Sequence, residues 1–217
     1  MNPRDLLLRA GTTEHYEDPS LYDHEYRRRR RDVRHYRELC QREVRKDPHR
    51  RPARILELGC GTGRLLVPLV RDGHEVLGVD RSWPMLQRCQ DRLARLPPSR
   101  KGRAHLVQAD FRALPLGPDP AGAGPFPVVL CPFNAFMHLY EREDVERFLA
   151  GVRAQLAPGG LFAFDVLLPD IDWLGRDPER RYARTRFKHP ATGERLVYTN
   201  SVAYDPVHQV AFIRLYY

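Results

Sequence analysis

An apolar run that ends in three alternate glycines, within residues 54–63, restricts the fold more than any other feature of the sequence. Arg54–Leu58 has the composition of a buried strand, and Thr62–Arg71, which follows, has that of a helix. Glycine adopts positive φ and lets a ligand approach the backbone without meeting a Cβ. The N–H groups at the start of a helix then face that ligand. The segment therefore predicts a strand, a ligand-binding turn and a helix.

Carboxylates at the ends of two predicted strands indicate what this turn binds. Asp80 ends the second strand, Glu75–Asp80, where a carboxylate can accept hydrogen bonds from both hydroxyls of a ribose. The alternative is a structural turn followed by an N-capping aspartate. Glu57 would repel a pyrophosphate and suits a positively charged ligand. Arg64 stands where a dinucleotide fingerprint needs its third glycine, which disfavours a dinucleotide.

Strand and helix segments alternate through the middle of the chain. The other segments of this kind are helices at Ser82–Leu96 and Glu141–Leu156 and strands at His105–Gln108, Phe126–Leu130 and Gly160–Val166. Short connections between them predict an α/β fold, a doubly wound, mostly parallel Rossmann-like sheet with helices on both faces. Ligands of such sheets bind outside the carboxyl ends of the strands.

The two ends of the chain follow other patterns. Apolar residues from Leu21 to Val44 recur at helical spacing, and the segments 182–188, 194–204 and 208–217 alternate as antiparallel strands do. We therefore expect three parts: an N-terminal helical cap at 1–53, a cofactor-binding core at 54–168 and an antiparallel insertion on the substrate side at 169–217.

Charge and cysteine content limit the partners. The formal net charge of +8 and the run Arg27–Arg31 fit either a solvated helix side or a phosphate-binding patch, so nucleic acid is disfavoured but left open. No apolar stretch is long enough for a membrane span or the core of a signal peptide. The four cysteines lack CxxC spacing, which favours a reduced, cytoplasmic protein.

Glu57–Gly63 matches in full the pattern E/D-x-G-x-G-x-G, the first motif of the class I S-adenosylmethionine-dependent methyltransferases, and the chain resembles this family from residue 54 to 166. Further motifs follow in the family's order, including Leu156–Gly160, which resembles the turn before the fifth strand. The resemblance implies that the cofactor is S-adenosyl-L-methionine and the product S-adenosyl-L-homocysteine. It implies these cofactor-binding residues: Tyr22, Glu57, Gly59, Cys60, Gly61, Gly63, Asp80, Arg81, Met85, Asp110, Phe111, Pro132 and Asn134.

The resemblance also implies individual roles. Asp80 would bind the ribose, Asp110 would meet the adenine amino group, and Phe111 would cover the adenine ring. The segment Pro132–Asn134 would face the sulfonium and its methyl group. Tyr22 would lie over the methionine carboxylate; Tyr16, Tyr26 and Arg31 are weaker candidates for that position. Packing of a helix face is the alternative for the tyrosines.

His138, after the fourth strand, is the candidate catalytic base, and a hydrogen-bonded loop histidine is the alternative. A neutral amine needs little help from a base, since alignment and a dry pocket supply most of the rate. The histidines show no metal-binding spacing with cysteines or acids, so we expect no metal.

The resemblance favours transfer of a methyl group to a small-molecule acceptor, with an amine preferred over a hydroxyl or a carboxylate. An RNA or protein methyltransferase and a non-catalytic S-adenosylmethionine-binding module are the alternatives. The chain stops inside a predicted strand, so we expect a truncated form that lacks the final strands of the family core. The exposed terminal strand could pair with a second copy to form a homodimer.

Overall fold

A computed structural model describes residues 16–46, 53–114 and 125–217 of the chain. Its helices are α1 (Pro19–Tyr26), α2 (Arg31–Lys46), α3 (Leu66–Arg71), α4 (Trp83–Ala94), α5 (Pro98–Lys101), α6 (Arg142–Gln155) and α7 (Ile171–Leu174). Its strands are β1 (Arg54–Leu58), β2 (Glu75–Asp80), β3 (Ala104–Gln108), β4 (Phe126–Cys131), β5 (Leu156–Phe164), β6 (Tyr182–Lys188), β7 (Arg195–Asp205) and β8 (Val210–Tyr216). Short 3₁₀ turns span Phe111–Ala113 and Ala135–His138. The chain divides into two units: residues 26–166, and residues 16–25 together with 167–217.

The larger unit is built on a parallel sheet of five strands in the order β3-β2-β1-β4-β5. The chain runs outward from β1 to β3 and then returns to place β4 on the other side of β1. This reversal puts a crevice at the carboxyl ends of β1 and β4, where doubly wound sheets bind their ligands. The predicted fold class is confirmed.

Apolar side chains cover both faces of this sheet. Ile55, Val128 and Leu130 point into one cluster, which α2, α3 and α4 complete. Leu56 and Leu58 point into the other, which includes Phe148 of α6. Burial on both faces explains why the strands are near-continuous apolar runs in the sequence.

The smaller unit contains an antiparallel sheet of three strands in the order β6-β7-β8, as the alternating pattern predicts. Residues from the N-terminal part of the chain pack against it. His189 Nε2 lies 2.8 Å from Asp18 Oδ2, and the ring of His24 stacks on Phe187 at 4.9 Å. These pairs join residues more than 160 positions apart, and the division of the chain into 1–53, 54–168 and 169–217 stays a prediction.

Several element bounds differ from those predicted, three of them by more than two residues. The helical pattern from Leu21 to Val44 is interrupted at Arg27–Arg30, four exposed residues that separate α1 from α2. The helix predicted from Thr62 begins at Leu66, because Gly61 and Gly63 have φ of 51° and 75° and cannot join a right-handed helix. Strand β5 spans Leu156–Phe164, so it begins four residues before the predicted start at Gly160 and ends two residues before Val166.

Within the described ranges, no helix is long and apolar enough to cross a membrane.

Candidate functional site

The glycine turn after β1 is fastened to its neighbours through its own amides. The N–H groups of Gly59 and Cys60 both donate to Val79 O, at 2.8 and 3.1 Å. The N–H of Gly61 donates to Asp80 Oδ2 at 2.7 Å, and that of Gly63 to Cys60 O at 2.9 Å. The sequence predicts that N–H groups at the start of the following helix face the ligand. These four amides are donated within the protein, and the orientation of the N–H groups at the start of the helix toward a ligand stays a prediction.

The space beside Gly61 is bordered by two predicted cofactor contacts. A Cβ added to Gly61 would stand 3.4 Å from Met85 Cε and 4.0 Å from Asp80 Oδ2. The absence of a side chain on Gly61 leaves no Cβ between the side chain of α4 and the carboxylate of β2.

At Gly63, by contrast, the space that a side chain would occupy is filled by a side chain of α4. A Cβ at this position would overlap the Cys89 Sγ of α4, at 2.5 Å. Cys89 is fully buried, so the third glycine allows α4 to pack closely against the turn. The side chain of Cys60 likewise faces β2: a Cβ on Gly78 would lie 2.8 Å from its sulfur. Burial raises the pKa of the Cys60 thiol well above its usual range.

Asp80 is held at the end of β2 by two backbone donors. Its Oδ2 accepts from Gly61, and its Oδ1 accepts from the N–H of Ser82 at 2.9 Å. Burial raises the pKa of Asp80, and the hydrogen bonds from Ser82 and Gly61 oppose that rise. A carboxylate oxygen can accept a second hydrogen bond, so both oxygens keep capacity for a hydroxyl donor.

Glu57, at the penultimate position of β1, is a buried carboxyl group with one oxygen that lacks a hydrogen-bond donor. Its side chain is 1% exposed, and Oε2 has no hydrogen-bond partner in the part of the chain that the structure describes. Burial raises the pKa of Glu57 to about 8; Arg64 opposes this rise and Asp80 adds to it. Such a group costs stability unless a donor or a cation completes it.

The loop after β4 contains two consecutive non-glycine residues in the left-handed region. Phe133 and Asn134 have φ of 60° and 61°. Their N–H groups donate to the two oxygens of Asp165, at 2.7 and 3.1 Å, and the hydroxyl of Tyr36 donates to Asp165 Oδ1 at 2.5 Å. The next residue, Ala135, lies against the glycine turn: a Cβ on Gly59 would stand 2.9 Å from its Cβ.

Asp165 is a residue that the sequence analysis missed. It follows the last residue of β5, at the carboxyl edge of the sheet. The signal that could have found it is a single acid within an otherwise apolar stretch, at the place where a parallel strand ends.

Arg64 is also missed as a contributor, because the sequence uses it only to disfavour a dinucleotide. Its guanidinium forms an ion pair with Asp32 and donates to Arg29 O at 2.8 Å. The Cζ atom lies 4.0 Å from the ring centroid of Phe133, within cation–π range. Tyr26 meets the same ring edge-on, with centroids 4.9 Å apart.

The predicted adenine-binding residues lie after β3. The N–H and guanidinium of Arg112 both donate to Asp110. Burial alone would raise the pKa of Asp110, but these hydrogen bonds outweigh it and lower the pKa. Phe111 packs against Phe148 at 5.5 Å, and its ring edge lies 3.8 Å from a Cβ placed on Gly59.

The remaining predicted residues are more dispersed. His138 lies in a 3₁₀ turn with Nδ1 3.3 Å from the Tyr140 hydroxyl. Arg81 is exposed, and its carbonyl accepts from Gln108 at 3.2 Å. Tyr22 belongs to the smaller unit, where its ring lies 5.9 Å from that of Tyr16. The roles of these residues stay predictions.

A groove of about 380 Å³ opens between α2 and the end of β5. Its lining combines charged and aromatic side chains with one alanine: Arg31, Asp32, His35, Tyr36, Ala163, Phe164 and Asp165. The volume is in the range of small-molecule sites. Among the residues that the structure describes, no group of His, Cys, Asp or Glu could hold a metal ion.

A doubly wound sheet with a glycine turn after β1 and a carboxylate ending β2 defines a nucleoside-binding α/β class. Residues 55–160 match the family model described as a methyltransferase domain. Over these residues the chain has a methyltransferase domain of the class I S-adenosylmethionine-dependent type, as its sequence motifs predict.

An uncharacterised methyltransferase of Geobacillus kaustophilus is 33% identical over 110 residues, which cover 51% of this chain and 45% of the relative. The CcbJ methyltransferase of Streptomyces caelestis is a structural neighbour with a TM-score of 0.58 and 26% identity, covering 81% of this chain and 70% of its own. DesVI of Streptomyces venezuelae has a TM-score of 0.62 at 18% identity, covering 90% and 80%, and shows the fold alone. The chain spans about half the length of the curated relatives it matches.

Proposed function

We propose that this chain binds S-adenosyl-L-methionine and transfers its methyl group to a small-molecule amine. The observation that carries the cofactor assignment is Glu57, a buried carboxylate with a partnerless oxygen beside the glycine turn. A cationic cofactor would stabilise the ionised form of this group, whereas a pyrophosphate would disfavour that form further.

The residues at the carboxyl edge fit the parts of this cofactor. Asp80 would hold the ribose hydroxyls, and Met85 and Phe111 would enclose the adenine, with Asp110 toward its amino group. Glu57 would balance the positive charge. When bound, the cofactor supplies a methyl group on a sulfonium, an electrophile ready for in-line attack.

The chain's own contribution to transfer is alignment and exclusion of water. The loop Phe133–Asn134 and the rings that follow it form an apolar wall: Phe136 stacks on Phe164 at 4.7 Å. A neutral amine already carries the attacking lone pair, so no proton has to leave before attack. For a hydroxyl acceptor, His138 would have to take the proton.

The relatives' names support methyl transfer and divide on the acceptor. A cypemycin N-terminal methyltransferase of Streptomyces is 34% identical over 115 residues, covering 53% of this chain and 42% of the relative. A malonyl-[acyl-carrier protein] O-methyltransferase of Magnetococcus marinus is also 34% identical, over 142 residues that cover 64% and 47%. We prefer an amine because the α1 and α2 segment resembles the N-terminal helix of small-molecule N-methyltransferases.

A second candidate is an RNA acceptor. It is favoured by the exposed run Arg27–Arg30 and by a 41% identical match over 73 residues to a ribosomal RNA small subunit methyltransferase of Synechococcus, covering 34% of this chain and 24% of the relative. Binding to ribosomal RNA that survives physiological salt would support it.

The test is transfer of an isotope-labelled methyl group from S-adenosylmethionine to paired acceptors: an amino sugar, the sugar with a hydroxyl at the same position, and ribosomal RNA. We expect label on the amine, and a loss of about 100-fold or more in the Asp80→Asn variant, because a ribose contact made by a charged group is removed. Asp91→Asn, on the exposed side of α4, is the matched control. Label on the hydroxyl sugar or the RNA alone would contradict the amine assignment.

A further inference from the structure

The left-handed pair Phe133–Asn134 requires something to hold it. Left-handed backbone is disfavoured for residues with a Cβ, and an aromatic residue is less tolerant of it than asparagine. Two such residues in succession persist only where their surroundings over-determine the conformation.

Asp165 supplies the restraint on the backbone. Its two carboxylate oxygens accept from the consecutive N–H groups of Phe133 and Asn134, at 2.7 and 3.1 Å. Hydrogen bonds from amides to an ionised acceptor are stronger than those between neutral groups. Asp165 therefore joins the end of β5 to the loop that follows β4.

Tyr36 orients that carboxylate from α2. Its side chain is 3% exposed, and its hydroxyl donates to Asp165 Oδ1 at 2.5 Å. Burial raises the pKa of Tyr36, and the hydrogen bond to Asp165 raises it further, so the hydroxyl stays a donor across the working pH range.

The side chain of Phe133 is linked to the same helix through Arg64. Its ring is flanked by the guanidinium of Arg64 and the edge of Tyr26, and Arg64 is itself paired with Asp32 of α2. Helix α2 thus holds both the backbone of the turn, through Tyr36, and its aromatic side chain, through Asp32.

We propose that Asp165, oriented by Tyr36, is a positioning residue that holds the Phe133–Asn134 turn in its left-handed conformation and so sets the wall that faces the methyl group. The location of that wall rests on the proposed function. The contact of Ala135 with Gly59 supports it, because the turn then abuts the glycine turn directly.

Three variants separate this role from general destabilisation. Asp165→Asn leaves one acceptor oxygen and turns an N–H toward the second amide. Tyr36→Phe keeps the buried ring and removes only the donor. Asp72→Asn is the matched control, because its bidentate ion pair with Arg37 also ties α2 to the core but does not reach the turn.

Two readouts are independent of any acceptor. The first is amide hydrogen exchange of the peptide covering residues 131–136. The second is the methyl resonance of bound S-adenosylmethionine labelled with ¹³C, which reports the surroundings of the methyl group. Calorimetry with S-adenosylhomocysteine, measured on every variant, tests the cofactor site itself.

We expect Asp165→Asn to raise exchange of that peptide by at least about tenfold, since bonds from two amides to a charged acceptor are lost, and to shift the bound methyl resonance. Tyr36→Phe should act in the same direction by a smaller factor. Affinity for S-adenosylhomocysteine should change less than about threefold in both, and Asp72→Asn should move neither readout.

The proposal is overturned if the native chain binds S-adenosylhomocysteine but neither variant alters exchange or the methyl resonance, or if Asp72→Asn alters them equally. A native chain that gives no binding heat would count against the proposed function instead. In that case the exchange data still decide whether Asp165 holds the turn.

Discussion

Three carboxylates lie at or near the carboxyl ends of three parallel strands, and their surroundings give them different tasks. Asp80 is satisfied by two backbone amides and keeps capacity for hydroxyl donors. Asp165 is satisfied by two amides and a tyrosine and shapes a loop. Glu57 has an oxygen for which the described residues supply no donor. One edge of the sheet thus combines a ribose acceptor, a structural restraint and a buried carboxyl group with an unpaired oxygen.

Glu57 should make the ligand-free chain less stable as pH rises. Its pKa is about 8 in the fold, against about 4.3 in an unfolded chain. Its stabilising contribution is therefore complete below about pH 4 and is lost as pH rises toward the folded pKa of about 8. We predict that the free energy of unfolding, measured in urea, falls between pH 5.5 and 8.5 by roughly 3 kcal/mol less in Glu57→Gln than in the native chain.

Saturating S-adenosylhomocysteine provides the control, because a donor group beside Glu57 should flatten the pH dependence of the native chain. Parallel unfolding curves for the native chain and Glu57→Gln across this range would show that the carboxylate is compensated in the free protein.

At the scale of the element, the glycine turn serves packing as well as ligand binding. Gly63 has φ of 75°, and a Cβ there would meet the Cys89 Sγ at 2.5 Å. We predict that Gly63→Ala lowers the free energy of unfolding by about 2–4 kcal/mol, through strain at positive φ and overpacking. Thermal unfolding of Gly63→Ala, with and without the second substitution Cys89→Ala, measures the coupling between the two positions.

In that double-mutant cycle, Cys89→Ala should recover about 1–2 kcal/mol of the loss, because it removes the overlapping sulfur. Gly102→Ala is the control, since nothing lies within 4 Å of the added Cβ and φ is −75°. Additive effects of the Gly63 and Cys89 substitutions would contradict the packing role.

The strands could be predicted because their cause is local. Apolar runs of strand length recur between turns, and β1, β2 and β4 follow them closely. The start of α3 could not be predicted from the sequence, because the φ values of Gly61 and Gly63 depend on the hydrogen bonds between the turn and β2. The break at Arg27–Arg30 was hidden by apolar residues that keep helical spacing on both sides of it.

Site residues could be predicted where a single strand both places the side chain and contains the functional group, as for Glu57 and Asp80. Asp165 and Arg64 could not, because their partners come from other elements. Asp165 accepts hydrogen bonds from amides 31 and 32 residues earlier in the chain, and Arg64 forms an ion pair with Asp32, which lies 32 residues earlier. Local spacing contains no signal for such pairs.

At the scale of the whole molecule, the smaller unit joins residues from both parts of the chain. Asp18 accepts from the backbone and side chain of Ser20 and from the N–H of Leu21, and it meets His189 across 171 positions. Burial alone would raise the pKa of Asp18, but these hydrogen bonds lower it to about 2. Its contribution to stability is therefore present above about pH 4 and lost as pH falls toward 2.

We predict that Asp18→Asn increases hydrogen exchange of residues 16–25 at pH 6 by severalfold, because the tether to His189 is weakened. The native chain should approach the variant as pH falls from about 4 to 2. Asp172→Asn, an exposed residue of α7 in the same unit, should exchange like the native chain at pH 6. Equal exchange in Asp18→Asn and the native chain would show that the pair holds nothing in place.

The central claim is that the glycine turn and Asp80 bind the nucleoside of S-adenosylmethionine, and calorimetric titration with S-adenosylhomocysteine tests it most directly. We predict micromolar binding by the native chain, on the order of −8 kcal/mol, that is retained in Asp91→Ala and lost in Asp80→Ala. Equal binding by Asp80→Ala and the native chain, or no heat from a folded native chain, would contradict the account.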